Sequence, residues 1–118
     1  HWMEEAQHAK LDTLLVGALA DSCTAGEIAQ GIEDYAAIGG MIDAALTQQA
    51  AFDADSLRLA TGRTLPADER RQLIDIQRQA LRWTFLGSGM THPNFLATLG
   101  RISPEGRAQV EKMAPAFC

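Results

Sequence analysis

A chain of 118 residues makes one domain at most, and its 47 % apolar content is enough for a modest core. A net charge of −5, with Lys and Arg never gathered into a run, leaves no electrostatic footprint for nucleic acid. No apolar stretch reaches the ~20 residues that a membrane span needs, and no signal-peptide pattern opens the chain. Neither a membrane nor a nucleic acid is therefore an expected partner. Two isolated cysteines, Cys23 and Cys118, form no metal or redox motif. They fit a reducing cytoplasm, a single disulfide being the alternative.

The apolar residues are mostly Ala, Leu and Ile, with few β-branched or aromatic runs, which favours helices. The first helix is predicted from about residue 2 to residue 20, ending in the polar turn Asp21-Ser22-Cys23. It opens within its own pattern and without a capping residue. The expectation is therefore a single helical domain over 1–118 that is a fragment of a larger one, the leading His being the alternative mark of a tag.

At about 100° per residue, His1, Glu5, His8 and Asp12 fall on one stripe that continues into Leu15 and Leu19. Leu11 and Val16 lie beside it, while Lys10, Thr13 and Gly17 point the other way. Ionisable groups on an apolar face are costly unless paired, hydrogen-bonded or bound to a metal.

Thr24-Ala25-Gly26-Glu27 has the form of a capping box, so the second helix is predicted to begin at Ala25. Its apolar stripe takes in Ile28, Ile32, Tyr35, Ile42, Leu46 and Leu57, with Gly39 on the same line. The pattern holds to about Ala60, a helix of about 50 Å at 1.5 Å per residue. Gly39-Gly40 is a place for a kink or a close helix approach. Gly62 is a left-handed cap.

Thr64-Leu65-Pro66 with Asp68 and Glu69 starts a third helix that carries Leu73, Ile76, Ala80, Trp83, Thr84 and Gly87 inward. It is expected to fail around Gly87-Ser88-Gly89 or at His92-Pro93. Asn94 to Leu99 reads as a short helix closed by Gly100. Ser103-Pro104-Glu105 starts a last helix that stops near Pro115. Short turns make neighbouring helices antiparallel, so the first three helices are expected to run up, down and up.

That arrangement brings the start of helix 1 level with the end of helix 2 and the start of helix 3. Asp53 lies on the stripe of helix 2 between Leu46 and Leu57, and Glu69 lies one turn before Leu73. Glu5, His8, Asp53 and Glu69 are thus the candidate metal ligands, meeting at one end of an antiparallel bundle. Glu5-x-x-His8 carries the chemistry, because residues three apart on a helix point the same way and can grip one metal or bridge two. The competing reading gives Glu5 and His8 to Arg or backbone partners, and pairs Asp53 and Glu69 with Arg58, Arg70 or Arg71. Asp12 is either a partner for His8 or a paired core carboxylate. Tyr35 is either a redox tyrosine near a metal or a core tyrosine with its hydroxyl satisfied.

Trp2-Met3-Glu4-Glu5-Ala6-Gln7-His8-Ala9 resembles the W-x(n)-E-E-x-x-H segment of ferritin-like di-iron carboxylate proteins, a superfamily that includes desaturases and bacterial N-oxygenases. The resemblance covers helix 1, and the remainder only by its helical character. It implies a partial ferritin-like bundle with a long central helix and short C-terminal helices. It further implies iron or manganese as cofactor, with Glu5 bridging or chelating metal and His8 supplying an imidazole. The function it implies is oxidase or oxygenase chemistry on a small-molecule substrate.

The chain departs from that pattern in having no second Glu-x-x-His: neither His1 nor His92 has a Glu three residues before it. The other half of such a site would come from further sequence or from a second subunit. Apolar residues off the main stripes add to this: Ile38, Met41, Phe52 and Leu59 on helix 2, and Met3 and Leu14 on helix 1. A homodimer is expected on that ground. The alternative function, from a different class, is a non-catalytic helical dimerisation or interaction module with a structural polar core.

Overall fold

The computed structural model describes residues 2–118; within that range the side chains of Trp2 and Glu5 lie outside the description. The fold is all-helical, with no strand among the described residues. Helix α1 spans Trp2–Ala20 and α2 spans Ala25–Thr61. Helix α3 spans Ala67–Arg82 and runs through a π-helical turn, Trp83–Gly87, into the short α4, Ser88–Met90. Helices α5, Pro93–Ile102, and α6, Pro104–Met113, follow, and a 3₁₀ turn, Ala114–Phe117, ends the chain. None of the described helices is long and apolar enough to cross a membrane.

Local signals account for the helix ends. Thr24 and Glu27 form the capping box: the Thr24 N–H donates to Glu27 Oε2 at 2.8 Å, and the Glu27 N–H donates to Thr24 Oγ1 at 3.3 Å. The Thr24 N–H and the Thr24 hydroxyl both donate to Glu27 Oε2 and hold the Glu27 carboxyl below its ordinary pKa. Replacing Thr24 with Ala is expected to remove about 1 kcal/mol of stability, read as a lower urea midpoint at unchanged slope. An unchanged midpoint would show that α2 starts without the cap. Gly62 closes α2 at φ 66, where a side chain would be strained, and its N–H bonds to the Arg58 carbonyl.

Helix α3 begins at Ala67 with Pro66 just ahead of it, and Asp68 and Glu69 sit in its first turn. Of its two expected stops, the one at Gly87-Ser88-Gly89 is passed and the one at His92-Pro93 holds. The backbone widens into a π turn over Trp83–Gly87 and the helical path continues to Met90. His92 does more than stop a helix: its Nδ1 accepts from the Asn94 N–H at 3.2 Å and caps α5. Helix α5 runs past Gly100 to Ile102, and Ser103 both ends it and caps α6 by accepting from the Gly106 N–H at 3.0 Å.

Helices α2 and α3 are antiparallel. Arg70 meets Asp55, Gln77 meets Asp53 and Arg82 meets Asp43, so the partner number falls on α2 as it rises on α3. The principal core lies elsewhere, where Leu86, Met90, Val110 and Ala114 are buried among Tyr35, Leu46, Phe95, Leu96 and Leu99. Gly39 is buried against it: a Cβ there would stand 3.5 Å from Met90 Cε. Gly39 therefore serves the contact with Met90, while Gly40 is exposed with open space beside it.

Helix α1 departs from the up-down-up arrangement, because its main neighbour is α5 and not α2. Gly17 and Ala20 are its more covered positions, and Gly17 lies close to Arg101 of α5. Small residues let α5 come near on that side. The leucine stripe is consequently turned outward: Leu11, Leu14, Leu15, Val16 and Leu19 are each more than half exposed.

Candidate functional site

His8 and Asp12 of α1 sit on that uncovered side. At about 100° per residue, His8 falls between Leu15 and Leu19, and Glu5 and Asp12 fall between Leu19 and Val16. Glu4, His8 and Asp12 are exposed, while the Glu5 side chain lies outside the described residues. The helix is continuous from Trp2 to Ala20, so the backbone at Glu5 and His8 holds the three-residue spacing that lets both groups face one ligand.

Asp53 occupies a different setting. It is half-buried on α2, facing α3. Gln49 Nε2 donates to its Oδ1 at 2.7 Å and Gln77 Nε2 donates to its Oδ2 at 2.9 Å. Two amide donors thus satisfy the carboxylate across the α2–α3 seam, in place of the Arg partners weighed for it. Glu69 is exposed in the first turn of α3, where its charge favours the helix dipole. Arg70, beside it, pairs with Asp55 at 3.0 Å.

No group of three or more His, Cys, Asp or Glu side chains is gathered as a metal would require among the described residues. The two described cysteines are free and exposed. Tyr35 is a core residue, its ring 5.7 Å from that of Phe95, and burial raises the pKa of its hydroxyl. A single chain's described residues therefore do not compose a ligand set for a metal pair.

The least exposed ion pair among the described residues, between Asp43 and Arg82, was not singled out by motif reading. Asp43 of α2 pairs with the Arg82 guanidinium at the end of α3, and both side chains are 21 % exposed. Arg82 also lies over the Phe117 ring at 5.7 Å, tying the C-terminal turn to the same point. The hydrogen bonds from Arg82 hold the Asp43 carboxyl below its ordinary pKa. The pair's stabilisation is therefore in place above the unfolded carboxylate pKa and is lost as pH falls through the depressed folded value. A signal existed: Asp43 follows Gly39 by one turn and precedes Leu46 and Ala50 on the same inward stripe.

Comparison with known proteins gives no matching family model, no matching curated protein and no matching solved structure.

Proposed function

We propose that this chain belongs to a helical bundle of the ferritin-like carboxylate type and supplies half of its metal site through Glu5 and His8. The observation that supports this reading is the placement of His8 in line with the uncovered leucines of α1, with Glu5 three residues before it in the sequence. A face that combines metal-ligating side chains with bare apolar surface is suited to closing over an ion inside a bundle. His8, Asp53 and Glu69 are not gathered within one chain, so the further carboxylates of such a site would come from a partner. Iron or manganese suits carboxylate and imidazole donors, and would give the completed assembly oxidase or oxygenase chemistry on a small molecule. No catalytic step is assigned to this chain's own residues.

The test is thermal melting of the purified chain with Fe(II), Mn(II) or Zn(II). A metal bound only to the native state stabilises it by about 2.7 kcal/mol at a hundredfold excess over Kd. The expected result is a melting temperature several degrees higher, with the rise abolished by His8→Ala. A native chain indifferent to all three metals, or a rise that survives His8→Ala, would sink the reading.

A second reading is favoured by the Asp53 geometry. Two glutamine amides already occupy both oxygens of that carboxylate. In this reading the polar interior is structural and the chain is a non-catalytic helical interaction module. Asp53→Asn would then leave metal response untouched and weaken the α2–α3 seam alone.

A further inference from the structure

One chain leaves far more surface bare than a folded monomer of its size. Its accessible surface is 8415 Å², whereas a compact monomer of this mass exposes about 6,300 Å². The surplus, about 2,100 Å², is what one partner contributes to an obligate homodimer interface. The radius of gyration is 17.9 Å, against about 13.5 Å for a compact chain of this length and about 17.5 Å for a compact body of twice that length.

The bare surface has a defined location. On α1, Met3, Leu14, Leu11, Leu15, Leu19 and Val16 spread over an arc of about 220°, and the remaining arc holds Gly17 and Ala20, the side turned to α5. Glu4, His8 and Asp12 share the apolar arc in the first half of the helix, so its bare apolar surface is continuous from Leu14 to Leu19. On α2, Ile38, Met41, Phe52 and Leu59 form a second stripe opposite the inward line of Gly39, Ala50 and Ala54, and each is 56 % exposed or more.

Charge is missing from the second half of α1 and from most of the middle of α2. Residues 13–20 of α1 carry none, and between Asp34 and Asp53 the only charge on α2 is Asp43, already paired with Arg82. Two copies that each carry −5 can meet on such faces while their like charges stay at the rim.

We propose that a second copy of this chain covers the leucine arc of α1 and the outer stripe of α2, so that the folded unit is an interleaved homodimer. This stands apart from the metal reading: a dimer indifferent to metal keeps this proposal and sinks the other. Sedimentation at micromolar concentration is expected to give twice the chain mass. Leu15→Glu is expected to give the single-chain mass with the helical circular dichroism retained, because more than half of Leu15 is exposed within one chain. A native chain that sediments as a monomer overturns the proposal, and so does a Leu15→Glu variant that stays dimeric. Should Leu15→Glu lose its helical signal, the native chain decides through hydrogen exchange. Amides of residues 11–19 are expected to exchange faster on dilution, and exchange independent of concentration overturns the proposal.

Discussion

Truncating Met90 to alanine is expected to remove about 2–5 kcal/mol of stability, the range for emptying a packed methionine site. Met90 is 2 % exposed, among Leu86, Val110 and Ala114. Its Cε reaches the bare backbone of Gly39, so that residue has no side chain to fill the space. A whole domain is stable by only about 5–15 kcal/mol, so this one change removes a large share. Urea unfolding followed by circular dichroism measures it as a large fall in midpoint. A loss below about 1 kcal/mol would mean that the surrounding helices collapse onto the gap, and that the core is softer than its burial indicates.

Gly87→Ala is expected to destabilise by about 1–3 kcal/mol or more through overpacking. A Cβ at Gly87 would stand 2.6 Å from the Phe117 carbonyl oxygen, 3.1 Å from its carbon and 3.0 Å from Trp83 Cε3. Two of these neighbours are backbone atoms and cannot rotate away. The C-terminal turn must therefore lift, and Phe117 leaves the Arg82 guanidinium as it does so. Gly106→Ala offers the contrast. There the nearest atom is Ile32 Cδ1, the far end of a flexible side chain, so a rotamer change relieves much of the clash. The expected order of melting temperatures is native, then Gly106→Ala, then Gly87→Ala. A Gly87→Ala variant as stable as the native chain would show that the C-terminal turn is not seated where the structure places it.

Much of the helical layout was legible because it is written in local chemistry. The capping box at Thr24, the left-handed cap at Gly62 and the serine cap at Ser103 each act within four residues, and each forms as expected. The neighbours of α1 were not legible. Its leucine stripe was expected to face inward, yet α5 approaches the opposite side, where Gly17 and Ala20 permit close contact. Periodicity identifies the face that must be covered and carries no information about what covers it. The same limit applied to the candidate ligands. That Asp53 faces inward was readable from its place on the stripe, but the glutamines that satisfy it come from one turn earlier and from another helix. His92 before a proline was read as a stop, while its role as a cap depends on the ring turning back to the Asn94 amide.

The seam between α2 and α3 has a consequence for how the molecule opens. Its buried side chains on α2 are Ala50 and Ala54, which contribute little apolar area. Arg70–Asp55 and Gln77–Asp53 hold its outer part through partly solvated polar contacts. The Met90 cluster lies beyond the other end of α3. The α2–α3 hairpin tip is therefore expected to open at a lower free energy than the Met90 cluster, which limited proteolysis near Gly62 with the cluster's helices left intact would show.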